Sequence, residues 1–375
     1  MFNVSTTRRL AVGVAACLAL GLGLSACGGT SSNGNTSPAA TATSLSDIGT
    51  MADLEAAANA EGQLNVIALP HDWANYGAII DAFKAAYPNI KVVEDNPNGS
   101  SADEISAAQT NKGLNTAPDV FDLGLAVALA NTAQFAPYQV ATWGDIPDSL
   151  KDPSGLYFAD YGGYMSLGID SAKYPVPTSM ADLMDPVYKG AVAINGDPTQ
   201  AGSAFAAIGL ATVQNGGTLD DFSTGINYFS QMYKAGNFIK VDPTDATIAS
   251  GETPIVFDWD YLNAVQVKSV PTWKTIIFPG TGYAGYYYQA INKDAPHPAA
   301  ARLWQEFLYT DQVQNLYLAG GARPARMDAM IESGTIDQAL AAALPQAPQT
   351  EVVPTAAQSA AAGTLLGQQW ASAVS

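Results

Sequence analysis

Three loops hold the residues most able to bind a charged solute. His71-Asp72-Trp73-Ala74-Asn75-Tyr76 follows the apolar run 64–69. Asp197-Pro198-Thr199-Gln200-Ala201-Gly202-Ser203 follows the short apolar run 191–194, and Asp258-Trp259-Asp260-Tyr261 follows 253–257. Aromatic faces attract cations, and carboxylates hydrogen-bond ammonium groups. Trp73, Tyr76, Asp197, Asp258, Trp259 and Asp260 therefore read as a set suited to an amine or other cation. Taken singly, each has an ordinary alternative: a Trp or Tyr packs a core, and an Asp beside a turn caps it. The recurrence of these types at separate strand ends is what favours binding. Gln200 and Ser203 belong to the same set by position, and the Gly202-Ser203 helix start also suits an anion through its free amides.

Other chemistries are less well provided for. Asp258 and Asp260 are spaced for acid/base work, but no nucleophile–base pair accompanies them, so an extracellular enzyme stands only as an alternative. Gly280-Thr-Gly282-Tyr-Ala-Gly285 spells a dinucleotide fingerprint, yet a Tyr-rich strand follows it, leaving no helix N-terminus to seat a pyrophosphate. The chain has two histidines, His71 and His297, and nothing brings them together as zinc ligands. His297 lies between Pro296 and Pro298 and reads as a solvated helix start. There is no G-x-S-x-G and no P-loop. No cofactor and no metal is expected.

The elements that must position these loops alternate in type. Apolar runs at 64–69, 90–93 and 120–123 read as strands, with helices at 74–87, 104–112 and 126–135 between and after them. Ile79, Ile80, Phe83 and Tyr87 mark one face of the helix at 74–87, which Pro88 stops. This order predicts a mostly parallel sheet covered on both faces. The pattern restarts after Gly162-Gly163, with strands at 164–169, 191–194, 253–257, 273–278 and 286–292. Helices are expected at 203–214, 219–234, 262–267 and 299–308, with further helical segments to the C-terminus. The expected fold is two α/β lobes, and ligands of such sheets sit beyond the carboxyl ends of strands.

Charge and the first residues bound the setting. The 375 residues carry a net charge of −18, and only 13% are charged. A chain so poor in Lys and Arg does not suit nucleic acid. Arg8 and Arg9 precede an uncharged run of fifteen residues, 10–24. That is short of the roughly 20 needed to span a bilayer and fits a secretory signal at 1–26. Leu24-Ser25-Ala26-Cys27 resembles the bacterial lipobox, which implies lipidation of Cys27. Removing 1–26 also removes Cys17, so no disulfide is expected, and the net charge becomes −20. Residues 27–50 read as the lipidated Cys and a flexible tether rich in Gly, Ser, Thr and Asn.

With the lipobox and tether, three further segments carry a family resemblance: Tyr188-Lys-Gly-Ala-Val192, the helical stretch Ala295 to Leu308, and Gly320-Gly-Ala-Arg-Pro-Ala-Arg326. Together they resemble the substrate-binding lipoproteins of bacterial ABC importers, in the branch holding spermidine/putrescine- and ferric-iron-binding proteins. The resemblance implies a type II periplasmic-binding-protein fold with a ligand cleft between lobes joined by crossover strands. Lobe one is then 51–168 plus 276–375, and lobe two is 169–275. It also implies that Trp73, Tyr76, Asp197, Asp258, Trp259 and Asp260 touch the ligand, with Gln200 where relatives carry a second acid. Polyamine binders have an aromatic after the third strand, where this chain has Gly124-Leu125-Ala126. Tyr287, in the run Tyr286-Tyr287-Tyr288, is expected on a strand face toward the cleft. The expected protein is a monomeric receptor on the extracellular face of the membrane. It would pass a small solute, first among them a polyamine or other cationic amine, to a permease and its ATPase. A ferric or anionic ligand such as a phosphonate, and a sensing role without transport, stay open.

Overall fold

The computed structural model describes residues Pro38–Ser375. The signal, the lipobox and Cys27, and the first part of the tether lie outside the described residues. Eleven strands follow in order: β1 Gln63–Ile67, β2 Lys91–Asp95, β3 Val120–Gly124, β4 Phe135–Ala136, β5 Phe158–Asp170, β6 Val192–Ile194, β7 Ile255–Trp259, β8 Trp273–Ile276, β9 Thr281–Asn292, β10 Arg323–Pro324 and β11 Thr350–Val352. Helices flank them, as the alternating pattern predicts.

The two long strands organise everything else. β5 is buried along all thirteen residues. Its first part pairs with β9, ending at Tyr164 opposite Ala284; its second part pairs with β7, starting at Met165 opposite Trp259. β5 is thus the crossover between two sheet regions, and β9 supplies the return. β1/β2, β6/β7 and β11/β9 are parallel, as expected of strands joined through helices. The six ladders involving β3, β4, β8 and β10 with β5 or β9, and β5 with β7 and β9, run antiparallel. The expected mostly parallel sheet is corrected to that extent: a chain that crosses and returns between lobes lays its crossover strands in opposite directions.

Local sequence accounts for the elements nearest the cleft. Ser100 caps helix Ser101–Thr110: its Oγ accepts from Asp103 N at 3.3 Å, while its own N–H donates to Asp103 Oδ2 at 2.8 Å. Two bonds then tie that helix to β3, from Gly124 N to Ser101 Oγ (3.0 Å) and from Asp122 N to Glu104 Oε2 (2.8 Å). Helix Tyr76–Ala86 buries Ile79, Ile80 and Phe83.

One expectation is corrected here. His297 is buried, not solvated, with Nδ1 2.9 Å from Asp119 Oδ2, because the Asp119 carboxylate needs partners in the core and His297 N–H also donates to it at 2.8 Å. The final helix, Ala356–Ala373, packs mainly on helix Ser223–Ala235 and also touches helix Leu125–Ala130. Trp370 stands edge-on to Phe229 and Phe238, and Ser230 Oγ donates to Ala373 O at 2.8 Å.

Candidate functional site

A cleft of about 850 Å³ opens at the strand ends. One wall is the loop after β1, the start of helix Ser101–Thr110 and the turn after β3. The opposite wall runs from Asn195 to Ala206 and includes Trp259. Tyr283–Tyr288 of β9 form the floor, and Val353, Pro354, Ser359 and Gly363 of the C-terminal segment close one side.

Five of the nine sequence-derived residues line this cleft: Trp73, Gln200, Ser203, Trp259 and Tyr287. Trp73 stands edge-on to Tyr287 and Tyr261, at 5.6 and 6.1 Å between ring centroids. Its Nε1 donates to the Tyr161 hydroxyl at 2.7 Å, which in turn donates to Asp122 Oδ2 at 3.2 Å. That relay fixes the indole from below. Ser203 Oγ donates to Asn195 O at 2.9 Å, and Asn195 Nδ2 donates to Asp258 Oδ2 at 2.8 Å.

The other four do not line it. Tyr76 is fully buried, its hydroxyl donating to Asp160 Oδ2 at 3.0 Å, because the first turn of its helix faces the core and not the loop before it. Asp197 is spent on its own turn, accepting from Thr199 N and Oγ1 at 2.8 and 2.6 Å. Asp258 is buried beneath the cleft wall, held by Asn195 and by Trp259 N at 2.8 Å. Asp260 is wholly buried in an ion pair with Arg323 and accepts from Tyr164 N and Tyr261 N. Its carboxyl is raised by burial, an effect opposed by the Arg323 guanidinium.

Burial pushes the Asp258 carboxyl up to about 7. A raised folded-state value means that its contribution to stability is present at low pH and lost as pH rises through about 7. Asp258→Asn is therefore expected to raise the melting temperature more at pH ~8 than at pH ~5, because the loss builds as pH rises from the ordinary carboxylate range to about 7. Thermal unfolding at the two pH values checks this; an equal shift at both would show that ionisation is not the cause.

Two acids that sequence reasoning passed over do line the cleft. Glu104 and Asp122 are buried side by side on the first wall. Burial, with Asp122 adding its charge, holds the Glu104 carboxyl well above the carboxylate range. Burial and then Asp160 do the same to Asp122. The signal was present: Asp122 interrupts the apolar strand Val120-Phe121-Asp122-Leu123, and an acid inside such a run needs a reason. Asp72 and Asp245 add carboxylates at the rim. No Lys, Arg or His is among the described residues that line the cleft. Among the described residues there is also no group of three or more His, Cys, Asp or Glu arranged to hold a metal ion.

Trp259 depends on Gly285. A Cβ at that position would run into the six-membered ring of the indole. Gly285→Ala is expected to cost about 1–3 kcal/mol through overpacking and to alter the near-ultraviolet circular dichroism of the cleft aromatics. An unchanged spectrum and stability would mean that the ring moves aside freely.

The arrangement is that of a two-lobed solute receptor: helices on sheets, two crossing strands, and a cleft between. A family model described as bacterial extracellular solute-binding protein matches residues 116–347. The chain belongs to that family, whose members are the extracellular solute-binding components of bacterial ABC transporters. Solved structures agree on the fold. The binding protein AgtB from A. tumefaciens R10, in complex with agropinic acid, is 17% identical with a TM-score of 0.65, covering 84% of this chain and 98% of its own. AfuA from Actinobacillus pleuropneumoniae, with fructose-6-phosphate bound, is 15% identical (TM-score 0.63; 83% and 98% covered). The spermidine/putrescine substrate-binding protein PotD from Streptococcus pneumoniae is 12% identical (TM-score 0.61; 84% and 99% covered). No curated protein matches the chain significantly in sequence.

Proposed function

We propose that this protein captures a small amine-bearing solute in the cleft and delivers it to an ABC permease. The observation that carries the amine is the cleft lining itself. It combines Trp73, Trp259, Tyr286 and Tyr287 with the carboxylates Glu104, Asp122, Asp72 and Asp245, and has no basic side chain among its described residues. Such a surface attracts cations and repels free anions. The acids differ from those first expected, but their sign and number support the same ligand charge. The neighbours' ligands, from a sugar phosphate to the polyamines in PotD's name, show how widely the fold is used.

The lobes close about β5 and β9, and ligand biases closure because only the closed form lets both walls touch it. The protein works as a monomer, held at the outer membrane face by lipid on Cys27, with the residues after it as a tether. No described helix is long and apolar enough to cross a membrane.

A thermal-shift screen across amines, amino acids, ferric iron, phosphonates and thiamine tests the ligand class by mass action. Amine-bearing solutes are expected to raise the melting temperature. No shift with any of them, together with a shift from ferric iron or a phosphonate, would overturn the reading.

A further inference from the structure

The cleft contains two buried polar side-chain atoms of opposite character that have no hydrogen-bond partner among the described residues. Glu104 Oε1 is an acceptor and Trp259 Nε1 is a donor only. Both residues are more than nine-tenths buried and both line the cleft.

Glu104 sits on the first wall. Its other oxygen takes Asp122 N at 2.8 Å. Asp122 in turn accepts from the Tyr161 hydroxyl at 3.2 Å and from Gln289 Nε2 at 3.3 Å. These partners are an amide, a phenol and a carboxamide; none brings a positive charge. A buried carboxylate without a cation is costly, and a charged donor entering from the cleft would relieve it.

Trp259 sits on the opposite side. Burial raises the Tyr287 phenol, and the Trp259 indole N–H beside its hydroxyl opposes that rise, yet makes no full hydrogen bond. The same hydroxyl is 3.9 Å from where a Cβ on Gly202 would stand. Tyr287 thereby places the indole N–H next to the start of helix Gly202–Gln214, which has no side-chain cap. A thirteen-residue helix with open first amides, beside an unpaired indole donor, favours negative charge.

We infer that the solute is a zwitterion, its ammonium held by Glu104 and Asp122 and its carboxylate by Trp259 Nε1 and the first amides of helix Gly202–Gln214. This rests on the amine-binding reading above and narrows it. A diamine meets acceptors at one end only; a monocarboxylate meets donors at one end only. A zwitterion satisfies both orphaned atoms at once.

The test uses the full chain and three matched series: ω-amino acids of two to six carbons, the corresponding diamines, and the corresponding monocarboxylates. Binding is read by calorimetry. The ω-amino acids are expected to bind most tightly. Glu104→Gln is expected to weaken them by roughly ten- to a hundredfold, the range for a charge-assisted hydrogen bond. Trp259→Phe keeps most of the ring and removes the donor. It should weaken ω-amino acids far more than any weak diamine binding, which loses only the difference between an indole and a phenyl face. Melting temperatures of the free variants confirm folding. Diamines binding as tightly as ω-amino acids would overturn the zwitterion and leave the amine reading intact. Undiminished ω-amino acid binding by both variants would overturn the assignment of its ends. No binding in any series would overturn the zwitterion, and the broader screen then judges the amine reading separately.

Discussion

Arg323→Met is expected to destabilise the free protein by about 3–5 kcal/mol, the range for breaking a buried ion pair by removing one partner. Asp260 is wholly buried and has no other cation among the described residues, so the substitution strands a charge. The pair also sits on the crossover. Asp260 Oδ1 accepts from Tyr164 N at 3.0 Å, and a Cβ at Gly163 would collide with the same carboxylate. The Arg323 guanidinium lies 4.5 Å from the Tyr164 ring centroid, and its second nitrogen donates to Pro345 O at 2.8 Å. β10, which carries Arg323, pairs with β5 at Gly162 and Tyr161. One ion pair thus joins the end of β7, the crossover strand and the segment leading to β11. Asp260→Asn alone is expected to cost a similar amount, because it strands the guanidinium. The double variant should cost clearly less than the two singles added, since each then removes the other's unpaired charge. Urea unfolding of all four proteins gives the cycle. Strict additivity would show that the two charges do not depend on each other.

Affinity for the amine-bearing solute is expected to fall as the medium is acidified, by as much as tenfold per pH unit for each proton displaced. An ammonium needs an ionised acceptor, and both acids on the first wall hold their protons above the ordinary carboxylate range. Asp103 and Asp122 face Glu104; Asp160, Tyr76, Tyr161 and Gln289 face Asp122; none is a base. Binding should therefore release protons, seen as a dependence of calorimetric heat on buffer ionisation. The free protein should run the other way. Groups whose folded values are raised contribute stability at low pH that is lost as pH rises through those values, with Asp258 at about 7. From pH ~5 to ~8 the free protein's melting temperature should drop while the increment added by ligand grows. A ligand increment that is flat with pH would remove Glu104 and Asp122 from the binding wall.

Part of this site was legible from residue types and spacing. Trp73, Gln200, Ser203 and Trp259 follow from the strand-end rule, since a loop leaving the carboxyl end of a strand opens toward the crevice; Tyr287 follows from a strand face turned to the same cleft. Spacing bears on the acids as well. Asp258, Trp259 and Asp260 are consecutive, and side chains alternate along a strand. Once Trp259 faces the cleft, its neighbours turn away into the protein, where Asn195 and Arg323 meet them. Asp197 failed for a local reason: an Asp two residues before a Thr bonds its own turn before it reaches a ligand. Glu104 was read only as part of a helix, because its role depends on a strand that follows much later in the chain.

The sequence by itself determined the alternating elements, the acidic character and the aromatic members of the cleft, because these follow from local periodicity and composition; the crossover segments came only through the family resemblance. Tertiary structure alone decided which carboxylates line the cleft and where the last helix lies. Burial chooses between otherwise identical acids: Asp260 meets an arginine from far along the chain, while Glu104 and Asp122 meet none among the described residues. The same long-range packing carries Trp370 onto Phe229 and brings Ser359 to the cleft. Which charges are paired is a property of non-local contacts, and in this protein it separates the acid that Arg323 holds in the fold from the acids that line the cleft.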